Sequence, residues 1–84
     1  VYELGVVEDA IAQIEALPKD ALASLAEVRV VLELNPWGGP PLHRRNPDAS
    51  IRVRTFGQEG QGLVVYLILE DQRRVEILRV TWLD

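Results

Sequence analysis

The sequence predicts an α+β domain of order β-α-α-β-β-β, with a helical hairpin packed on one face of a mostly antiparallel sheet. Three observations carry this expectation. The apolar pattern changes at Glu8 from the alternation of a strand to the roughly 3.6-residue period of a helix. Alternation returns at Ile51, after a stretch rich in proline and glycine. Two clusters of turn residues, Gly57 to Gly62 and Glu70 to Arg73, then divide the last third into three strands.

Taken in order, Val1 to Val7 is β-branched and aromatic and short enough for one strand. Beyond it, Ala10, Ile14 and Leu17 share a helical face with Ile11 alongside, and Glu8 and Asp9 suit the positive end of the helix dipole. This helix stops near Leu17, because Pro18 lacks an N–H and disfavours helical geometry in the residue before it. Proline suits the first turn of a following helix, whose free N–H groups Asp20 can satisfy. Ala21, Leu25, Val28 and Leu32 repeat along one face, widened by Leu22 and Val31, as far as about Leu34. There Asn35 suits a left-handed cap and Pro36 blocks continuation.

Trp37 to Ala49 reads as an irregular loop, long enough to be functional or mobile. Of the strands that follow, Ile51 to Phe56 alternates and Leu63 to Leu69 is apolar on both faces. In the last, Arg74 to Trp82, Val75 and Ile77 are set on the face opposite Leu78, Val80 and Trp82.

At 84 residues, positions 1–84 form a single domain, and its 48% hydrophobic and 26% charged residues are those of a folding globular chain. The absence of cysteine excludes a disulfide framework and thiolate chemistry, and a single histidine excludes a multi-histidine metal centre, so neither metal nor cofactor is expected. The longest apolar run, Leu63 to Leu69, is far short of the roughly 18 residues of a membrane span. With no secretory signal in Val1 to Ala10, the expected location is cytoplasmic. The formal charge of −4 is unevenly spread. Residues 1–34 set seven acids against Lys19 and Arg29, whereas 35–56 set Arg44, Arg45, Arg52 and Arg54 against Asp48 alone. The acidic total argues against a general nucleic-acid coat and leaves room for a local basic site.

Arg52 and Arg54 are two apart in a strand and share a face. With Ile51 and Val53 turned toward the helices, both guanidiniums would stand on the open face of the sheet, joined by Arg44 and Arg45 from the loop. Such a cluster holds phosphodiesters or carboxylates by forked hydrogen bonds; the bland alternative is an edge strand protected by charge. His43 adjoins the arginines and titrates near neutrality, which makes it the candidate proton carrier or merely an exposed loop histidine. Tyr66 lies mid-strand, as a core aromatic or a phosphate ligand. The Leu78, Val80 and Trp82 row adds more apolar surface than one sheet face hides, and is expected to meet a partner segment or a second copy.

The ordered pieces Ala12-Gln-Ile-Glu-Ala-Leu-Pro18, Leu34-Asn-Pro36, Val53-Arg-Thr-Phe-Gly57, Val65-Tyr-Leu-Ile-Leu-Glu-Asp71 and Val75-Glu-Ile-Leu-Arg-Val-Thr-Trp82 resemble the RelE/ParE superfamily of type II toxin–antitoxin modules. The resemblance implies the same β-α-α-β-β-β fold and a cognate antitoxin that wraps it. It also implies one of two actions. One is ribosome-dependent cleavage of mRNA, with Arg54, Arg52, His43 and Tyr66 as catalytic candidates and Arg44, Arg45, Arg52 and Arg54 as RNA contacts. The other is non-catalytic binding of a protein target such as DNA gyrase. The sequence departs from RNA-cleaving members at Leu63, where they carry an arginine, and residues 83–84 hold no counterpart of their basic tail.

Overall fold

The structure, a computed structural model, describes residues 1–42 and 49–83. Strand β1 (Glu3–Val6) leads into helix α1 (Glu8–Glu15), and helix α2 (Lys19–Leu34) follows after a short proline step. A 3-10 turn, Pro36–Gly38, closes the helical half. Strands β2 (Ile51–Phe56), β3 (Gly62–Leu69) and β4 (Arg74–Trp82) complete the chain, with a second 3-10 turn, Glu70–Gln72, between β3 and β4. The sheet order is β1-β4-β3-β2; β1 runs parallel to β4, and the other two pairs are antiparallel. The fold class is therefore the expected α+β, on a mixed sheet.

Each helix seats on the sheet separately: α1 lies against β4, and α2 spans β1, β4 and β2. Ala21, Leu25, Val28 and Leu32 of α2 are buried against Val64, Tyr66, Ile68, Val75 and Ile77, which makes one continuous apolar layer between helices and sheet. Helix α1 is fastened by Gln13, whose Oε1 accepts a 2.6 Å hydrogen bond from the Val80 amide. Pro18 is the residue before α2 and no side chain caps that helix, so Asp20 does not take the capping role. Asn35 ends α2 with φ −151° and ψ 76°, neither helical nor left-handed. Pro36 accounts for this, because a residue before proline is pushed out of helical geometry.

A β-bulge resolves the apolar pattern of β4. Tyr66 pairs with Ile77 and Val65 with Arg79, which leaves Leu78 as an extra residue and reverses the side-chain alternation beyond it. Val80 consequently joins Val75 and Ile77 in the core, and Trp82 packs on Phe56 with ring centroids 5.6 Å apart. The expected Leu78, Val80 and Trp82 row is thus broken: Val80 is 4% exposed and serves the interior, and only Leu78 and Trp82 keep partial exposure.

The face of β2 is also the reverse of the expectation. Arg52 pairs with Tyr66, Arg54 with Val64 and Phe56 with Gly62, so both arginines project to the helix side of the sheet. Ile51, Val53 and Thr55 turn to the opposite face with Leu67, Val65 and Leu63. Phe56 fixes this parity, since its ring is buried at the end of the strand and residues two and four before it must share its side. The ring lies over Gly62, where a Cβ would overlap it.

Candidate functional site

The helix-side arginines lie where β2 passes the end of α2, under the segment that follows Asn35. That segment runs back along the outer edge of β2: the Val53 amide donates to Pro40 O at 2.9 Å and the Leu42 amide to Ile51 O at 3.0 Å. Arg52 is 9% exposed beneath it. Its Nη1 donates to Gly39 O at 2.9 Å and to Trp37 O at 3.4 Å, its Nε donates to Ala49 O at 3.1 Å, and its guanidinium lies 4.9 Å from the Trp37 ring centroid. Main-chain carbonyls, whose partial negative charges replace lost water, thus hold a buried cation in place.

Tyr66 stands beside it in the register and is fully buried. Its hydroxyl donates to Pro36 O at 2.6 Å. Gly39 lets the chain pass over this hydroxyl, because a Cβ there would overlap the Tyr66 oxygen. Burial pushes the Tyr66 pKa up from its usual 10.0, and the nearby Arg54 and Arg52 charges offset part of that rise. A neutral, buried donor fixed to a carbonyl anchors the loop and does not meet solvent. Arg54 is partly exposed, and its Nε is buried without a hydrogen-bond partner, the one such side-chain atom among the described residues.

A second polar cluster touches the first through Trp37. Glu70 Oε1 accepts from Trp37 Nε1 at 2.7 Å and from the Tyr2 hydroxyl at 2.6 Å, while Arg73 Nη1 donates to Glu70 Oε2 at 3.0 Å and to the Tyr2 oxygen at 3.1 Å. The Arg73 guanidinium also lies 4.1 Å over the Tyr2 ring. The hydrogen bonds from Tyr2, Trp37 and Arg73 lower the Glu70 pKa from 4.5 to about 2, and the bond to Glu70 raises that of Tyr2. Glu70 thereby ties the start of β1 and the Trp37 turn to the β3–β4 connection.

The structure brings Arg52, Arg54 and Tyr66 together, on the covered side of the sheet and not on its open face. His43, Arg44 and Arg45 lie outside the described residues. Sequence reasoning missed Trp37 and Glu70 as parts of the arrangement; the only signal was an indole N–H and a turn carboxylate, which say nothing of their meeting across 33 positions. Leu63 projects from the open face of β3, opposite Thr55. Among the described residues no group of His, Cys, Asp or Glu side chains is placed to hold a metal ion.

The arrangement of two helices on a sheet ordered β1-β4-β3-β2 is that of a RelE-like toxin fold. The whole chain superposes on the isolated Escherichia coli RelE toxin with a TM-score of 0.82 at 14% identity, covering 86% of that chain. It matches the E. coli RelBE toxin–antitoxin complex at 0.80 and 15% identity, over 100% of this chain and 99% of the other. The archaeal RelE–RelB complex from Pyrococcus horikoshii OT3 matches at 0.69 and 16% identity, over 96% and 93% of the two chains. No protein-family model matches the sequence, and no curated protein matches it. No helix among the described residues is long and apolar enough to cross a membrane.

Proposed function

We propose that this chain is the toxin of a RelE–RelB-like toxin–antitoxin pair and is held by a cognate antitoxin. The observation that supports the reading is the superposition of the entire chain on the isolated E. coli RelE toxin and on a chain of the RelBE toxin–antitoxin complex. Of the two actions open to such a toxin, inactivation of a protein target such as DNA gyrase fits the site better than mRNA cleavage on the ribosome. Phosphodiester cleavage through a 2′-hydroxyl needs a base, an acid and accessible cations. Arg52 is buried and donates to the Gly39 and Ala49 carbonyls, Tyr66 is buried, and the family resemblance sets Leu63 where RNA-cleaving members carry an arginine. The unengaged Nε of Arg54 supports cleavage as the second reading, with Arg44 and Arg45 as further cations and His43 as proton carrier.

Growth arrest on expression, relieved by the product of the adjacent gene, tests the toxin reading. Purified protein assayed in parallel on ribosome-bound mRNA and on gyrase supercoiling then separates the two actions. Inhibited supercoiling with uncut message is the expected result. If the message is cut instead, Arg54→Ala should slow single-turnover cleavage by about 10²-fold and His43→Ala by less, as loss of a positioned charge outweighs loss of an imperfect proton carrier.

A further inference from the structure

The segment Pro36 to Leu42 lies across a set of donors that its own carbonyls satisfy. Pro36 O accepts from the buried Tyr66 hydroxyl, Trp37 O and Gly39 O accept from Arg52 Nη1, and Pro40 O accepts from the Val53 amide. In return the Leu42 amide donates to Ile51 O, whereas Pro36, Pro40 and Pro41 have no N–H to give. The donors are positioned without the segment's help: Arg52 and Val53 belong to β2, Tyr66 belongs to β3, and Arg52 Nε is fixed to the Ala49 carbonyl. Arg54 adds a second guanidinium. Its Nη2 lies close to Gly38, 3.2 Å from where a Cβ would stand, and its buried Nε has no hydrogen-bond partner.

A trough lined by two guanidiniums, a phenol and a main-chain amide suits a ligand made of anionic oxygens, and here carbonyl oxygens stand in for it. We propose that Pro36 to Leu42 is an autoinhibitory strap: it closes over a phosphate-binding site formed by Arg52, Arg54, Tyr66 and the Val53 amide, and the ligand enters only when the strap lifts. A carbonyl carries a partial charge, whereas a phosphate carries full charge on several oxygens and so competes with the strap for both arginines. A carboxylate, with two oxygens, matches less well a set of donors that now engages the carbonyls of Pro36, Trp37, Gly39 and Pro40. The strap's outer end is lightly held. Pro40 is exposed, Leu42 is 42% exposed, and Trp37 Nε1 is fastened to the exposed Glu70. Little apolar burial and solvent-facing hydrogen bonds mark a segment that opens at low cost. The inference deepens, and rests on, the second of the two readings above, contact with phosphate at Arg54.

The test is isothermal titration calorimetry of the purified chain with inorganic pyrophosphate at low salt. Gly39→Ala lifts the strap without altering a donor, because the new Cβ would overlap the Tyr66 hydroxyl and the Val53 carbonyl. This variant should bind pyrophosphate about tenfold or more tightly than the unmodified chain, since no closed strap has to be displaced first. Arg54→Gln in the same background should abolish the gain. In the unmodified chain, saturating pyrophosphate should speed hydrogen exchange at the Leu42 amide, as ligand and strap exclude each other. Should Gly39→Ala fail to fold, Trp37→Phe carries the same test: it keeps a ring beside Arg52 and removes the bond to Glu70, with a smaller gain expected. Equal affinity of the strap variants and the unmodified chain, or slower exchange at Leu42 with ligand bound, overturns the strap and leaves the phosphate reading standing. No binding by any form overturns both. A gain that survives Arg54→Gln puts the pyrophosphate elsewhere and overturns the site. Growth arrest and antitoxin play no part, so the toxin reading is judged separately.

Discussion

Arg52 and Arg73 sit on either side of Trp37 and solve the same problem differently. Arg52 is buried, and its guanidinium donates to carbonyls of Trp37, Gly39 and Ala49 among its partners. Arg73 lies outside, its side chain 56% exposed, and binds a formal negative charge, Glu70. Water screens the outer pair, so its attraction is cheaply lost. The inner arginine donates to fixed backbone carbonyls, so any change that removes it also strands those carbonyls. The strand arginine is accordingly the one the loop depends on, whereas the turn arginine trims an arrangement already set by packing.

The sharpest way to break this comparison is Arg52→Ala. It should cost about 2–4 kcal/mol in urea unfolding, because buried acceptors lose their donor and the covering segment loses its clamp. Stability near that of the unmodified protein would mean that the carbonyls find water and that the clamp is dispensable. Tyr66→Phe should cost about 1 kcal/mol through the orphaned Pro36 carbonyl. It should also change alkaline behaviour. The folded state raises the Tyr66 pKa above 10.0, so the stability this group contributes is intact below pH 10 and falls as pH rises past it. Melting curves of Tyr66→Phe should fall less steeply there, with Tyr2 retaining the remainder.

The smallest effect is expected at the outer pair. Arg73→Ala should shift the urea midpoint less than either change above, and added salt should erase most of the difference. Glu70 gives the acid counterpart. Its folded pKa of about 2 lies below the ordinary 4.5, so its contribution is complete above pH 4.5 and disappears as pH falls toward 2. Glu70→Gln should remove that segment of the acid-stability profile; an unchanged profile would show that groups other than Glu70 produce it.

Periodicity made the elements and their order legible, since the 3.6-residue pattern of α2 and the alternation of β2 and β3 each report a buried face. It could not reveal parity. Arg52 and Arg54 read as solvent-facing because a charge on the covered side needs acceptors, and those of Arg52 include carbonyls of a proline- and glycine-rich stretch with no signature of its own. Phe56 was the available clue, an aromatic at an even spacing from both arginines. In β4 the pattern itself carried the bulge: apolar residues at 75 and 77, then at 80 and 82, describe one face with an extra residue between, and they read equally well as two faces.

The pairing of β1 with β4 joins opposite ends of the chain, and the Tyr2–Glu70 hydrogen bond spans 68 positions. Closing so long a loop costs entropy before any contact rewards it, so the β2–β3–β4 meander, built on short hairpins, should assemble first and β1 should dock last. In the native ensemble the order inverts: β1 is the piece that detaches most cheaply. Hydrogen exchange should find the amides of Leu4 to Val6 opening well before those of Val64 to Ile68, and the N-terminal strand would then be a separately melting unit on an otherwise cooperative domain.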